Sequence, residues 1–347
     1  MAVTQKQIAH ELGISHQLVS FALNGNGNVA PKTRDEIVAT AERLGYRRNE
    51  LARAMVTGKS SALGFLSFES DQSDHLMRVL SGAIDAANEH QLFIKAMHYR
   101  ELSDIRGVLE RCLEWRVAGL MVMNLTDEAV ETLEHEVKQL DMPVAFIENP
   151  PSHPADVWVR SDDYHGLQQI IEHLTALGHR EIAFFNGNAE SRLSEKRETH
   201  FRRVMECAGL FVNEAWLVRG SWGLESPLNE EAAQKLLAFQ PRPTAVVCSG
   251  DPLAMILIRE AQNAGLKLPQ ELSVTGFADF YLAGLSNPAL TTVDQSFRVM
   301  GRVAVEQLLS CISATPVPNG QRWNQLLPTR LIVRASTAPP LCVPTPL

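Results

Sequence analysis

Apolar residues fall into two textures along this chain. Over the first sixty positions they recur three and four apart, the spacing of one face of a helix. Ile8, Ala9 and Leu12 form one such face, Leu18, Val19, Ala22 and Leu23 a second, and Ile37, Val38, Ala41 and Leu44 a third. Local signals punctuate these faces. Thr4-Gln5-Lys6-Gln7 has the form of a capping box, and Gly13 can take the left-handed conformation that ends a helix. Ser15 can cap the second helix, and Pro31 suits the first turn of a third that runs to Gly45. From Ala62 onward the apolar residues form short unbroken runs instead: Leu63–Leu66, Leu92–Ile94, Gly119–Val122, Val144–Ile147, Ile182–Phe185, Ala245–Cys248 and Leu272–Gly276. Amphipathic stretches lie between them, among them Leu76–His90, Ile105–Trp115, Glu128–Leu140, Leu167–Leu177 and Leu253–Ala264. Apolar strands alternating with helices predict parallel sheets covered on both faces, here in two doubly wound lobes.

Composition narrows the class. A chain of 347 residues, 45% hydrophobic and 21% charged, can bury full cores in two or three domains, which excludes global disorder. No apolar run approaches the ~20 residues of a membrane helix, so no membrane partner is expected. Met1–Gln7 carries no basic-then-apolar export signal, and the five cysteines are scattered without a CxxC pair. A cytoplasmic protein without disulfides, structural zinc or any cofactor is expected. The net charge of −8 hides an asymmetry: residues 1–60 carry +3 and the remainder −11. A positive head on an acidic body points the search for phosphate contacts at the head.

On a helical wheel the second helix sets Leu18, Val19, Ala22 and Leu23 on one arc and His16, Gln17, Ser20, Phe21 and Asn24 on the other. Two helices joined by Gly13-Ile14-Ser15, the second with a polar outer face, describe a helix-turn-helix whose second helix enters the major groove. The same pattern also describes a generic helical hairpin.

More specific are Ala9-His10-Glu11-Leu12-Gly13-Ile14-Ser15, Val19-Ser20, Leu23-Asn24-Gly25, Pro31-Lys32-Thr33-Arg34, Leu44-Gly45-Tyr46, Asn49-Glu50-Leu51-Ala52-Arg53 and Thr57-Gly58-Lys59-Ser60. In the body, Glu172-His173-Leu174, Leu177–Ala183, Asp251, Ser273–Phe277 and Leu290–Val293 continue the pattern. Together they closely resemble the lactose-repressor (LacI/GalR) family of transcription regulators, from about Thr4 to Pro340. The resemblance implies an α/β protein with four parts. An all-α helix-turn-helix DNA-binding head spans 1–46, and a hinge helix and linker that folds on DNA spans 47–60. A two-lobed effector-binding and dimerisation body, like a periplasmic binding protein with parallel sheets, spans 61–340. A Pro-rich tail fills 341–347, and its prolines exclude a C-terminal tetramerisation helix, so a homodimer on a palindromic operator is expected.

The resemblance places DNA contacts at Thr4, Ser15, His16, Gln17, Ser20, Phe21 and Asn24, and at Asn49, Arg53 and Met55 in the hinge. Phe21 stands where the family usually has arginine. It can offer apolar contact to a thymine methyl, or lean back beside Leu18 as a packing residue. Met55 resembles the family's minor-groove leucine wedge, and Arg48 replaces the proline before Asn49.

In the body the resemblance assigns effector contacts to Arg197, Trp222, Asp251, Gln295 and Phe297. The family's aspartate after the Gly276-Phe277 pair is here Ala278, the asparagine before Asp251 is Gly250, and the glycine before Phe201 is His200. His75, Glu148 and His200 supply new polar groups. A repressor controlled by a carbohydrate-related effector is expected, with an acidic, modified or larger saccharide favoured over a neutral hexose; the alternative is an orphan cleft that answers to no small molecule. An enzyme is not expected, because no phosphate loop, nucleophile elbow or metal-ligand cluster is present in the sequence. A solute-binding protein of the periplasmic type is the rival class; it would need an export signal and no head.

Overall fold

The computed structural model describes residues 3–24, 29–46, 61–68, 74–140, 142–149, 157–189, 191–223, 225–313 and 324–341. Two compact units divide the chain, Met1–Ser60 and Ser61–Leu347.

Among the described residues of the first unit are three helices: α1 (Gln5–Leu12), α2 (His16–Asn24) and α3 (Pro31–Arg43). Ile8, Val19 and Ile37, one from each helix, are fully buried together with Ala9, Ala22, Leu23 and Ala41. The caps follow the sequence signals. Gln7 N donates to Thr4 Oγ1 at 3.4 Å and Thr4 N to Gln7 Oε1 at 2.8 Å, completing the capping box. Gly13 stops α1 at φ +64°, where any Cβ would be strained, and Leu18 N donates to Ser15 Oγ at 3.1 Å to start α2.

Parallel strands dominate the second unit. In one lobe β1 (Ala62–Phe68), β2 (Phe93–Tyr99), β3 (Leu120–Met123), β4 (Val144–Ile147), β5 (Val157–Ser161) and β11 (Asn324–Leu327) form a six-stranded sheet ordered β11-β5-β4-β3-β1-β2. The other lobe holds β6 (Ile182–Asn186), β7 (Leu217–Arg219), β8 (Ala245–Cys248) and β9 (Ser273–Thr275), ordered β7-β6-β8-β9. Every residue of β3, β4, β6 and β8 is buried, which is why these strands read as unbroken apolar runs. Among the described residues the chain passes between lobes three times. It crosses from β5 into α7 (Asp163–Ala176), from β10 (Thr292–Asp294) into α11 (Phe297–Ile312), and from β11 into β12 (Arg330–Ile332), which pairs antiparallel with β10.

Helices α4 (Asp74–Glu89), α5 (Leu102–Glu114), α6 (Asp127–Leu140) and α11 cover the first sheet; α7, α8 (Arg192–Cys207), α9 (Pro227–Ala238) and α10 (Asp251–Asn263) cover the second. Glycines let α4 and α11 touch backbone to backbone. A Cβ on Gly82 would stand 1.8 Å from the Arg298 carbonyl oxygen, and one on Gly301 would stand 1.9 Å from that of Val79. Among the described residues no helix is long and apolar enough to cross a membrane.

Candidate functional site

Two surfaces carry the candidate chemistry, one in each unit. On α2, Val19, Ala22 and Leu23 point into the core of the head while His16, Gln17 and Phe21 are exposed and Ser20 is half-buried. Phe21 keeps 40% of its surface in solvent and is not among the side chains packed against that core. It stands on the outer arc of the helix. Thr4 and Ser15 spend their hydroxyls as caps at the starts of α1 and α2, exposed on the surface. Asn24 closes α2. Asn49, Arg53 and Met55 lie outside the described residues, as do Arg48 and residues 342–347.

In the body, the carboxyl ends of parallel strands from both sheets open onto one cleft of about 770 Å³. Open α/β sheets bind ligands at such strand ends, and the volume suits a small organic molecule. Six of the seven residues expected at an effector site line it: His75, Glu148, Arg197, Trp222, Gln295 and Phe297.

The seventh, Asp251, does not line it, a difference from the expectation. Its carboxylate is buried behind the cleft, accepting from Phe280 N at 2.6 Å and Thr292 Oγ1 at 2.5 Å. It thus pins the loop after β9 to the β10 crossover. Burial pushes its pKa up to about 6 against these two hydrogen bonds. His200 is also absent from the lining and meets Tyr164 edge-on, with ring centroids 5.7 Å apart. Ala278 and Gly250 do line the cleft. Asp279 pairs with Arg334 at 2.5 Å.

An ionic knot forms the base. Ser161 N and Oγ both donate to Glu148 Oε1 at 3.0 Å. The same hydroxyl lies 3.1 Å from Asp163 Oδ1, so its one proton serves only one carboxylate at a time. Gln295 Nε2 donates to Ser161 Oγ at 2.6 Å, tying in the second crossover. Lys196 Nζ reaches Asp163 Oδ2 at 2.7 Å and Arg197 stands 3.5 Å from Oδ1.

These partners drive the two acids apart. Burial opposes ionisation of Asp163, but Arg197 and Lys196 outweigh it and hold its carboxyl at about 2. Burial and the neighbouring Asp163 charge push Glu148 up. Burial also lowers His75 to about 4, leaving a neutral imidazole stacked on Phe280 with centroids 5.6 Å apart.

Arg197 is almost wholly buried. One of its terminal nitrogens donates to the Ser249 carbonyl at 2.5 Å, and its guanidinium lies 4.5 Å from the centroid of Phe277 and 5.9 Å from that of Trp222. Trp222 rests on Gly187, where a Cβ would meet the indole at 2.2 Å, and its Nε1 donates to Ser194 Oγ at 3.1 Å. At the mouth, Arg192 N donates to Asp127 Oδ2 at 2.9 Å and its guanidinium pairs with Glu131, joining α8 of one lobe to α6 of the other.

Asn124, Glu148 and Ala278, all lining residues, have φ of +55°, +68° and +134°. Strained non-glycine backbone at three strand ends of one cleft is the pattern of a functional site. Among the described residues no group of His, Cys, Asp or Glu is arranged to hold a metal ion.

Sequence reasoning missed Arg160, Asp163 and Lys196. The available signals were slight: a charged residue at the end of β5, an acidic doublet at the following crossover, and a lysine beside Arg197. Each alone reads as surface charge.

A family model described as a periplasmic binding protein-like domain matches residues 171–337. Catabolite control protein A of Priestia megaterium is 31% identical over 345 residues, 97% of this chain and 100% of that protein. HTH-type transcriptional repressor PurR of Photobacterium profundum is 29% identical over 307 residues, 88% of this chain and 91% of that protein. The crystal structure of the lac repressor dimer bound to operator and the anti-inducer ONPF matches with a TM-score of 0.82 at 24% identity, covering 97% of this chain and 100% of that one. That last likeness is one of fold. The relatives are transcription regulators rather than enzymes, and the two unlike carboxyls at the cleft base need no catalytic role.

Proposed function

Because this chain belongs to the lactose-repressor (LacI/GalR) family of transcriptional regulators, we propose that it is a cytoplasmic, sequence-specific repressor whose grip on DNA is set by a small, saccharide-related effector in the cleft. The observation that carries the reading is the outer arc of α2. His16, Gln17 and Phe21 are held in solvent by a helix whose opposite side is fully committed to the core, so their exposure serves recognition rather than folding. Gln17 suits adenine and Phe21 a thymine methyl, while Thr4, Ser15, Ser20 and Asn24 act as neutral phosphate contacts. The segment 47–60 is the hinge, with Asn49 and Arg53 at the minor groove and Met55 as its wedge.

One head offers few base contacts, so two heads of a homodimer read a near-palindrome. The body offers surface for such a pairing. Met77 and Ile84, seven apart on one face of α4, are exposed, and β2 is a sheet edge whose Phe93 is 60% exposed. In the cleft, His75, Glu148, Arg197, Trp222, Gln295 and Phe297 contact the effector, and Asp251 braces the strand ends behind them. Aromatic plates with amide and carboxyl groups between them suit a hydroxylated ring.

Selection of bound sequences from a random duplex pool, followed by titration of the winner at rising salt, tests the reading. A near-palindromic consensus is expected, with affinity falling roughly 10³-fold between 50 and 200 mM salt if about six phosphates are neutralised. No enrichment, or binding indifferent to salt, would overturn it.

A further inference from the structure

Cations from both lobes meet in the cleft, whose lining also holds the acids Asp127, Glu128 and Glu148. Arg160, Lys196 and Arg197 all line it, from β5 of one lobe and α8 of the other. Asp163 is engaged by Lys196 and Arg197, and Glu148 takes two hydrogen bonds from Ser161. Arg160 forms no ion pair with the described residues. Its guanidinium stacks 4.8 Å from the Trp158 centroid, and its Nε is buried without a hydrogen-bond partner. The Nε of Arg197, itself buried, is also without a partner.

A buried guanidinium donor left unmatched is costly, and an oxyanion matches its planar fork better than any neutral group does. We propose that the effector carries an anionic oxyacid group, a carboxylate or a phosphate, anchored by Arg160 within the field of Lys196 and Arg197. Its hydroxylated body lies against the His75–Phe280 stack, Phe297 and Trp222. The effector is then a sugar acid or sugar phosphate, and this inference rests on the reading of the cleft as an effector site. Arg160 is its specificity determinant.

Thermal shift and calorimetric titration of the full chain, at constant ionic strength, with glucose, galactose, their uronic acids and their 6-phosphates test it. At least one acid should raise the melting temperature and bind at least tenfold more tightly than its neutral parent. Arg160→Gln should lose that tenfold advantage, and Arg160→Lys should restore part of it. Melting of both variants without ligand establishes that they fold. Equal response to the neutral sugars, no response to any acid, or an undiminished preference in Arg160→Gln would overturn the proposal. Which acid is preferred separates carboxylate from phosphate. No DNA enters this experiment, so failure of the regulatory reading shows separately, as absence of duplex binding.

Discussion

The outer arc of α2 and the cleft of this protein are built by opposite strategies. The outer arc of α2 comes from one run of nine consecutive residues, with His16, Gln17 and Phe21 exposed, the core being made by Val19, Ala22 and Leu23 on the other side. Residues from Phe68 to Phe297 line the cleft, and at its base Asp163 is held against Lys196 and Arg197. In the head, recognition and folding are separable, because a side chain can be exchanged without disturbing a contact that holds the fold. At the cleft base they are the same interactions: the groups placed to meet a ligand also hold β5, α7 and α8 together.

The largest effect should come from breaking the knot. Asp163→Ala leaves the buried Arg197 and the half-buried Lys196 without their counter-charge, and about 3–5 kcal/mol of stability should be lost in urea denaturation. Acid adds a second signature. Asp163 has a folded pKa of about 2, below the unfolded value near 3.9, so its contribution is complete above about pH 4 and fades as pH falls through 2. The variant should therefore show a flatter loss of stability over that window. An unchanged midpoint and acid limb would mean that the two regions do not differ as described.

A smaller effect, of another kind, is expected in the head. Phe21→Arg should shift preference by about 1–3 kcal/mol at one base pair of each half-site, while stability stays within about 0.5 kcal/mol. Parallel selections of bound sequences and urea melts check both halves. An identical consensus would return Phe21 to the class of packing residues.

What could be read in advance follows the same division. The head was legible because its signals are local: the Thr4–Gln7 box, Gly13 and Ser15 each act within four residues. Fully buried strands such as β4 and β8 were legible because both faces are covered. Strand β5 escaped because it alternates, with Trp158 and Arg160 half-buried among buried neighbours. Helix α8 escaped because half of its sixteen residues are charged, although Arg197, Glu198 and Phe201 are buried. Arg160, Asp163 and Lys196 owe their meaning to crossovers that bring distant segments together, which no local spacing encodes. For Asp251 the expected role failed geometrically: its place at the start of α10 turns the carboxylate towards Thr292 and the Phe280 amide, away from the cleft.

Operator affinity measured with and without a saturating cleft ligand tests the central claim most directly, because it asks whether the two regions answer to each other. Fluorescence anisotropy on the selected duplex, using the sugar acid or phosphate that binds most tightly, should show a change of about 5- to 150-fold, equivalent to 1–3 kcal/mol of coupling. The same factor should appear in the ligand's affinity for the DNA-bound protein. Identical operator affinities with and without the ligand would contradict the account.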